Sequence, residues 1–281
     1  MKLKRKPEWM KLKVQGSKSA AGVRHLLDDL HLNTVCTHAN CPNRMECYER
    51  GTATFMILGS ICTRNCRFCD VTHGRPDAVN EEEPKNLAKA VERLKLKHAV
   101  ITSVDRDDLE DGGATQFKNV IKEIRALTPE VTVEVLIPDL KGKKELMDII
   151  FDERPDVLNH NIEVVPELYK DIMPGSKFER SLSVLEYAKE KGLVTKTGIM
   201  VGLGETEEQM VNTFKRLREV DCNMLTIGQY LQPSLEHAQL KEYVTPEQFK
   251  KYEDIAYELG FAKVASGPFV RSSYHAEAIK L

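Results

Sequence analysis

Ile57–Gly74 reads ILGSICTRNCRFCDVTHG, with three cysteines, Cys62, Cys66 and Cys69, inside eight residues directly after an apolar run. Three thiolates at that spacing can wrap one compact centre, and their number carries information. A structural zinc is closed by four ligands, whereas a reacting centre keeps one position open. An iron–sulfur cluster held by three cysteines likewise leaves one iron free to bind something else. The missing fourth cysteine is therefore read as the place of a substrate.

Six of the seven cysteines lie between Cys36 and Cys69, and only Cys222 stands apart. Clustered thiols in a chain of this size point to metal binding in a reducing compartment rather than to a disulfide framework. Cys222 reads as a small buried hydrophobe without a role. Lys and Arg (41) nearly balance Asp and Glu (43), which argues against a surface built for nucleic acid. The longest apolar run, Phe55–Leu58, is far too short to span a bilayer, and the opening MKLKRKPEWMKLK lacks the apolar segment of a secretory signal. A cytoplasmic protein with no membrane or nucleic-acid partner is expected.

From Ala53 onward short apolar runs alternate with helical patterns. Six strands are predicted, at Ala53–Leu58, His98–Val104, Val131–Ile137, Val157–Asn161, Thr195–Val201 and Met224–Tyr230. Helices are predicted at Pro84–Lys95, Ala114–Leu127, Phe178–Lys191, Glu205–Val220 and Pro246–Leu259. In the second of these, Phe117, Val120, Ile121, Ile124 and Leu127 fall on one stripe. Gly192 is placed to end the Phe178–Lys191 helix. Such alternation predicts an α/β fold with parallel strands, a partial (βα)6 barrel with its active site at the C-terminal strand ends. The Gly198, Gly202, Gly204 turn fits neither a dinucleotide fingerprint nor a phosphate loop.

CTRNCRFC (Cys62–Cys69) matches the C-x3-C-x2-C signature of radical S-adenosylmethionine (SAM) enzymes, including Phe68 before the last cysteine. A second triplet, Cys36, Cys41 and Cys47 in CTHANCPNRMEC, has C-x4-C-x5-C spacing, which suits neither the usual zinc fingers nor the bacterial ferredoxin run. Together the two triplets resemble the lipoyl synthase family, and the resemblance extends over nearly the whole chain. It takes in RKPEWMK, TATFMILG, VDRDDLEDGGA, VEVLIPD, NHNIEVVPELY, TKTGIMVGLGET and GPFVRSSYHAE. The departures are small: Thr37 and His38 stand where relatives commonly carry acidic residues, and Thr197 where serine is frequent.

The resemblance implies two [4Fe–4S] clusters and SAM. Cys62, Cys66 and Cys69 would hold the cluster that reduces SAM to a 5′-deoxyadenosyl radical. Cys36, Cys41, Cys47 and a serine of R-S-S-Y, Ser273 by its position beside the tyrosine, would hold the auxiliary one. By residues alone Ser272 and Ser273 are equivalent turn serines. The implied reaction places sulfur at C6 and C8 of an octanoyl chain on a carrier-protein lysine, with the auxiliary cluster as donor. These carbons are unactivated, so a radical is needed, and two SAM molecules are used per lipoyl group. SAM-contact candidates are Phe68, Gly112, Gly113, Asn161, Glu163, Gly202 and Glu205; a turn role for the glycines and a first-turn helix role for Glu205 are the plainer readings.

The implied partners are octanoylated lipoyl carrier domains (acyltransferase subunits of 2-oxoacid dehydrogenases and the glycine cleavage H protein), a flavodoxin- or ferredoxin-type electron donor, and an iron–sulfur carrier that rebuilds the auxiliary cluster. The basic arm Lys2–Lys18, with Glu8 its only acid, is a candidate dock for an acidic carrier. Residues 1–52 are expected to form the arm bearing the auxiliary cysteines, 53–260 the barrel, and 261–281 the segment supplying the serine. His38 and His275 neighbour proposed ligands. Two alternatives stand beside this reading: a sulfur-inserting radical SAM enzyme acting on a free small molecule, as biotin synthase does, and a zinc-stapled interaction protein.

Overall fold

The computed structural model describes residues 4–11, 18–274 and 276. The basic arm falls only partly within this range, and His275 lies outside the described residues.

Eight strands form one sheet in sequential order: β1 Asn33–Thr34, β2 Thr54–Ile57, β3 His98–Ser103, β4 Thr132–Leu136, β5 Val157–Asn159, β6 Thr195–Val201, β7 Met224–Gln229 and β8 Lys263–Gly267. β2 to β8 run parallel, and only β1 is antiparallel, pairing Asn33 with Met56 and Thr34 with Phe55. No pairing joins β1 to β8 among the described residues, so the barrel is open. The six strands expected from sequence are all present. β1 and β8 were not expected: β1 is two residues long and β8, KVASG, is half polar, so neither carries an apolar run.

The helices are α1 Lys18–Asp29, α2 Val35–His38, α3 Arg44–Glu49, α4 Glu83–Arg93, α5 Ala114–Leu127, α6 Lys144–Phe151, α7 Tyr169–Ile172, α8 Phe178–Glu190, α9 Glu207–Glu219 and α10 Pro246–Glu258. Phe117, Val120 and Ile124 of α5 are wholly buried, each worth roughly 1.5–3 kcal/mol of transfer free energy for a large apolar side chain. The stripe ends sooner than its spacing suggests, because Leu127 in the last turn is 42% exposed. α9 starts two residues later than expected. Thr206 caps it, its Oγ1 accepting from the Gln209 N–H at 3.2 Å while Gln209 Oε1 accepts from the Thr206 N–H at 2.8 Å. Gly192, at φ +75°, follows α8 as foreseen.

Two apolar clusters share the interior. One joins α1, α4, α5 and α6 to β2–β4; the other joins α8, α9 and α10 to β6–β8. A buried polar group crosses the sheet. Glu134 of β4 accepts from Lys196 Nζ (2.8 Å) and Asn159 Nδ2 (3.0 Å) on one oxygen and from His98 Nε2 (3.1 Å) on the other.

Candidate functional site

The first cysteine loop leaves the C-terminal end of β2, and the geometry of its departure is fixed by buried polar groups. Glu83, 4% exposed on α4, accepts from the Leu58 N–H (3.0 Å) and from Gln116 Nε2 (2.8 Å). Arg106 Nη1 donates to the Leu58 carbonyl at 3.3 Å. The loop then folds back on itself, with the Cys62 N–H on the Thr72 carbonyl (2.8 Å) and the Gly74 N–H on the Cys62 carbonyl (2.9 Å).

Neighbouring loops pin it from three sides. Arg64, inside the motif, makes a two-pronged contact with Asp107 (2.7 and 3.0 Å) and reaches Asp139 after β4 (2.8 Å). Asp139 also accepts from Arg180 Nε at 2.7 Å. The Arg67 N–H donates to the Ile172 carbonyl (2.8 Å) and its carbonyl accepts from the Ala238 N–H (2.7 Å). His237 Nε2 donates to the Cys69 carbonyl at 3.1 Å, and its Nδ1 contacts Ser234 Oγ at 2.8 Å. Arg64 and Asp139 went unread as site residues; the signal was present in the position of Arg64 between two motif cysteines.

The second triplet reaches the same place because β1 pairs with β2. Thr34 ends β1 and caps α2, and its Oγ1 lies 2.9 Å from the Tyr48 hydroxyl of α3. The Cys41 N–H donates to the Cys36 carbonyl (3.1 Å) and the Cys47 N–H to the Asn43 carbonyl (2.9 Å). The thiols of Cys36, Cys41 and Cys47 are close enough to repel as thiolates. Asn40 donates to the Asp70 carboxylate, joining the residue before Cys41 to the residue after Cys69.

The C-terminal segment closes over both loops. Asn43 Nδ2 donates to the Phe269 carbonyl (2.7 Å), Thr54 Oγ1 to Ser273 Oγ (2.7 Å) and the Tyr274 hydroxyl to Glu46 (3.0 Å). Its entry depends on Gly228 of β7, where a Cβ would stand 2.2 Å from the Val270 carbonyl oxygen. The two serines separate here. Ser272 Oγ accepts from Asn161 Nδ2 at 3.3 Å, while Ser273 points to Thr54, whose N–H and hydroxyl both face the Cys36 sulfur.

All of this surrounds one cavity of about 650 Å³. Cys62, Cys66, Cys69, Cys36, Cys41 and Ser273 line it, with Phe68, Asn161 and Glu163; Cys47 is not among the lining residues. Apolar side chains, Met56, Leu136, Ile199, Met200 and Tyr230 among them, complete the lining. Gly112, Gly113, Gly202 and Glu205 do not line it. Gly113, at φ +88°, starts α5 under the Asp111 carboxylate, and Glu205 accepts from the N–H groups of Gly202 and Leu203, stapling its own turn.

Burial raises the thiols of Cys36, Cys62 and Cys66, and pushes Cys47 and Cys69 up to about 12. Such thiols are neutral at pH 7, so a metal that binds them must displace protons. Burial also pushes Glu163 up to about 7, against the pull of the Asn161 amide and the Arg271 charge. Soft sulfur donors set around a shared cavity suit iron–sulfur clusters and a molecule between them. Cys222 is wholly buried away from the cavity, its thiol 3.5 Å from the Met224 carbonyl.

An open parallel barrel with a three-cysteine loop at the end of its first parallel strand defines the radical SAM class, and residues 56–217 match the Radical SAM superfamily model. The fold agrees with that of methylornithine synthase, with a TM-score of 0.56 at 13% identity over 88% of this chain and 81% of that one. Within this class the chain belongs to the lipoyl synthase family. It is 55% identical to the lipoyl synthase of Caldanaerobacter subterraneus subsp. tengcongensis over 97% of this chain and 96% of the relative. The lipoyl synthase of Chlorobaculum tepidum is 52% identical over 98% and 96%. Family membership brings with it a [4Fe–4S] cluster and SAM. Among the described residues no helix is long and apolar enough to cross a membrane.

Proposed function

We propose that this chain inserts sulfur at C6 and C8 of an octanoyl group carried on a lysine of a lipoyl carrier domain, using two [4Fe–4S] clusters of which the auxiliary one is the sulfur donor. The observation that carries the reading is the single cavity lined by Cys62, Cys66 and Cys69, by Cys36 and Cys41 of the second triplet, and by Ser273. Abstraction of a hydrogen atom and delivery of sulfur to the same carbon require both centres to face one substrate chain. When bound, the clusters and SAM supply the one-electron chemistry that an unactivated C–H bond demands.

Each part of the chain has a task in this reading. Cys62, Cys66 and Cys69 hold the radical cluster and leave one iron open; Cys36, Cys41, Cys47 and Ser273 hold the auxiliary cluster. Orientation supports Ser273 over Ser272, because Ser273 shares Thr54 with Cys36 whereas Ser272 contacts Asn161. Phe68, Asn161 and Glu163 border the space for SAM, and the apolar lining accepts the octanoyl methylenes while excluding water. An arm of residues 1–52, a barrel of 53–260 and a closing segment of 261–281 divide the work, β8 of the sheet lying in the last of these. The carriers are acyltransferase subunits of 2-oxoacid dehydrogenases and the glycine cleavage H protein. A flavodoxin or ferredoxin supplies electrons, an iron–sulfur carrier rebuilds the auxiliary cluster, and clustered free cysteines support a reducing cytoplasm as the compartment.

Mass spectrometry of an octanoyl-lysine carrier domain, incubated anaerobically with the reconstituted protein, SAM and a strong reductant, tests this. A gain of two sulfur atoms with no change in hydrogen is expected for the dithiol formed under the reductant, and loss of two hydrogen atoms once that dithiol is oxidised to the cyclic disulfide. An unchanged carrier beside accumulating 5′-deoxyadenosine would overturn the substrate while sparing the radical SAM chemistry.

A further inference from the structure

Thr54 opens β2 at the seam where the cysteine arm, the barrel and the C-terminal segment meet. It is 6% exposed and lines the cavity. Its hydroxyl donates to Ser273 Oγ at 2.7 Å, across 219 residues of sequence, and its N–H and hydroxyl both face the Cys36 sulfur. A threonine hydroxyl has one proton and two lone pairs. Two groups that are anionic as metal ligands, a thiolate and a serine alkoxide, therefore compete for one proton.

We infer that Thr54 is the positioning residue of the auxiliary centre, holding Cys36 and Ser273 in one coordination shell although they come from opposite ends of the chain. This rests on the reading of Cys36 and Ser273 as auxiliary ligands. The reasoning is physical: Ser273 lies on the segment after β8, 219 residues from Thr54, and an oxygen donor is a weaker partner for iron–sulfur centres than a thiolate. A fixed donor lowers the freedom that Ser273 surrenders on ligation. Thr54 is anchored for this by its strand, through the β2–β3 pairing of Thr54 with Val100. Groups outside the ligand shell that orient ligands typically govern metal affinity by about 10–100-fold.

The experiment compares the anaerobically reconstituted wild type with Thr54→Val and Thr54→Ser, following iron loss to a ferrous chelator and the Mössbauer signature of each cluster. Thr54→Val is expected to lose auxiliary-cluster iron at least about tenfold faster, with the Cys62–Cys66–Cys69 cluster retained. Thr54→Ser, which keeps the hydroxyl, is expected to behave as wild type. Equal loss rates for Thr54→Val and wild type would overturn the inference. Should Thr54→Val melt early, Thr54→Ser against Thr54→Ala gives the same reading, since the pair differs by one hydroxyl. Cys36→Ala serves as the separate control: if it keeps both clusters, the ligand reading itself fails.

Discussion

Arg64 Nη2 lies 2.8 Å from Asp139 Oδ1, with the Arg64 side chain 10% exposed and that of Asp139 2% exposed. A residue between two motif cysteines is thus locked to the loop after β4. Asp105 and Asp107 face the same guanidinium, and Asp105, pushed up to about 6 by burial, is the carboxylate that most needs it.

Arg64→Ala leaves these carboxylates facing one another, and breaking a largely buried pair costs about 3–5 kcal/mol. The expected result is a lower midpoint in denaturant and a deficit of iron confined to the Cys62–Cys66–Cys69 cluster. Arg64→Lys recovers only part of the loss, because an ammonium lacks the planar fork that grips Asp107 at two atoms. Iron assay and chemical denaturation of the three proteins check this; full iron in Arg64→Ala would refute it.

Gly228→Ala places a methyl group 2.2 Å from the Val270 carbonyl oxygen, and a backbone atom has to yield. The strain costs about 1–3 kcal/mol and moves the segment that carries Ser273. Because a misplacement of about 1 Å costs about 100-fold in rate, sulfur insertion should fall far more than 5′-deoxyadenosine formation. The ratio of the two products, measured by mass spectrometry and chromatography, reports the effect. A fall of both in step would assign Gly228 to general folding.

Burial alone would raise Glu134, but the Lys196 charge and the hydrogen bond from His98 outweigh it and hold the carboxyl below its ordinary value. A depressed carboxylate stabilises the fold fully above the unfolded value of about 4.3 and loses that contribution as pH falls through the folded one. Lys196→Met should therefore cost about 3–5 kcal/mol at pH 7, and the gap from wild type should narrow as pH is lowered into the carboxylate range. Thermal melts of both proteins at several pH values decide it. A gap independent of pH would mean that Lys196 acts by packing alone.

The sequence by itself determined the parallel strands and their helices, since apolar periodicity is local and each barrel strand is followed by its own crossover. It also placed three thiols on the loop after β2, because Cys62, Cys66 and Cys69 lie within eight residues of one another. The tertiary structure decided what depends on contacts between distant segments. β1 is two residues long and exists only through its pairing with β2, which carries the second cysteine triplet to the first. Ser272 and Ser273 are equivalent turn serines by residue type, and in the fold one meets Asn161 and the other Thr54. The glycines before α5 and after β6 lie at a helix start and in a turn stapled by Glu205, off the lining of the cavity. Local pattern sets which groups a segment offers; long-range packing sets which of them face the cavity.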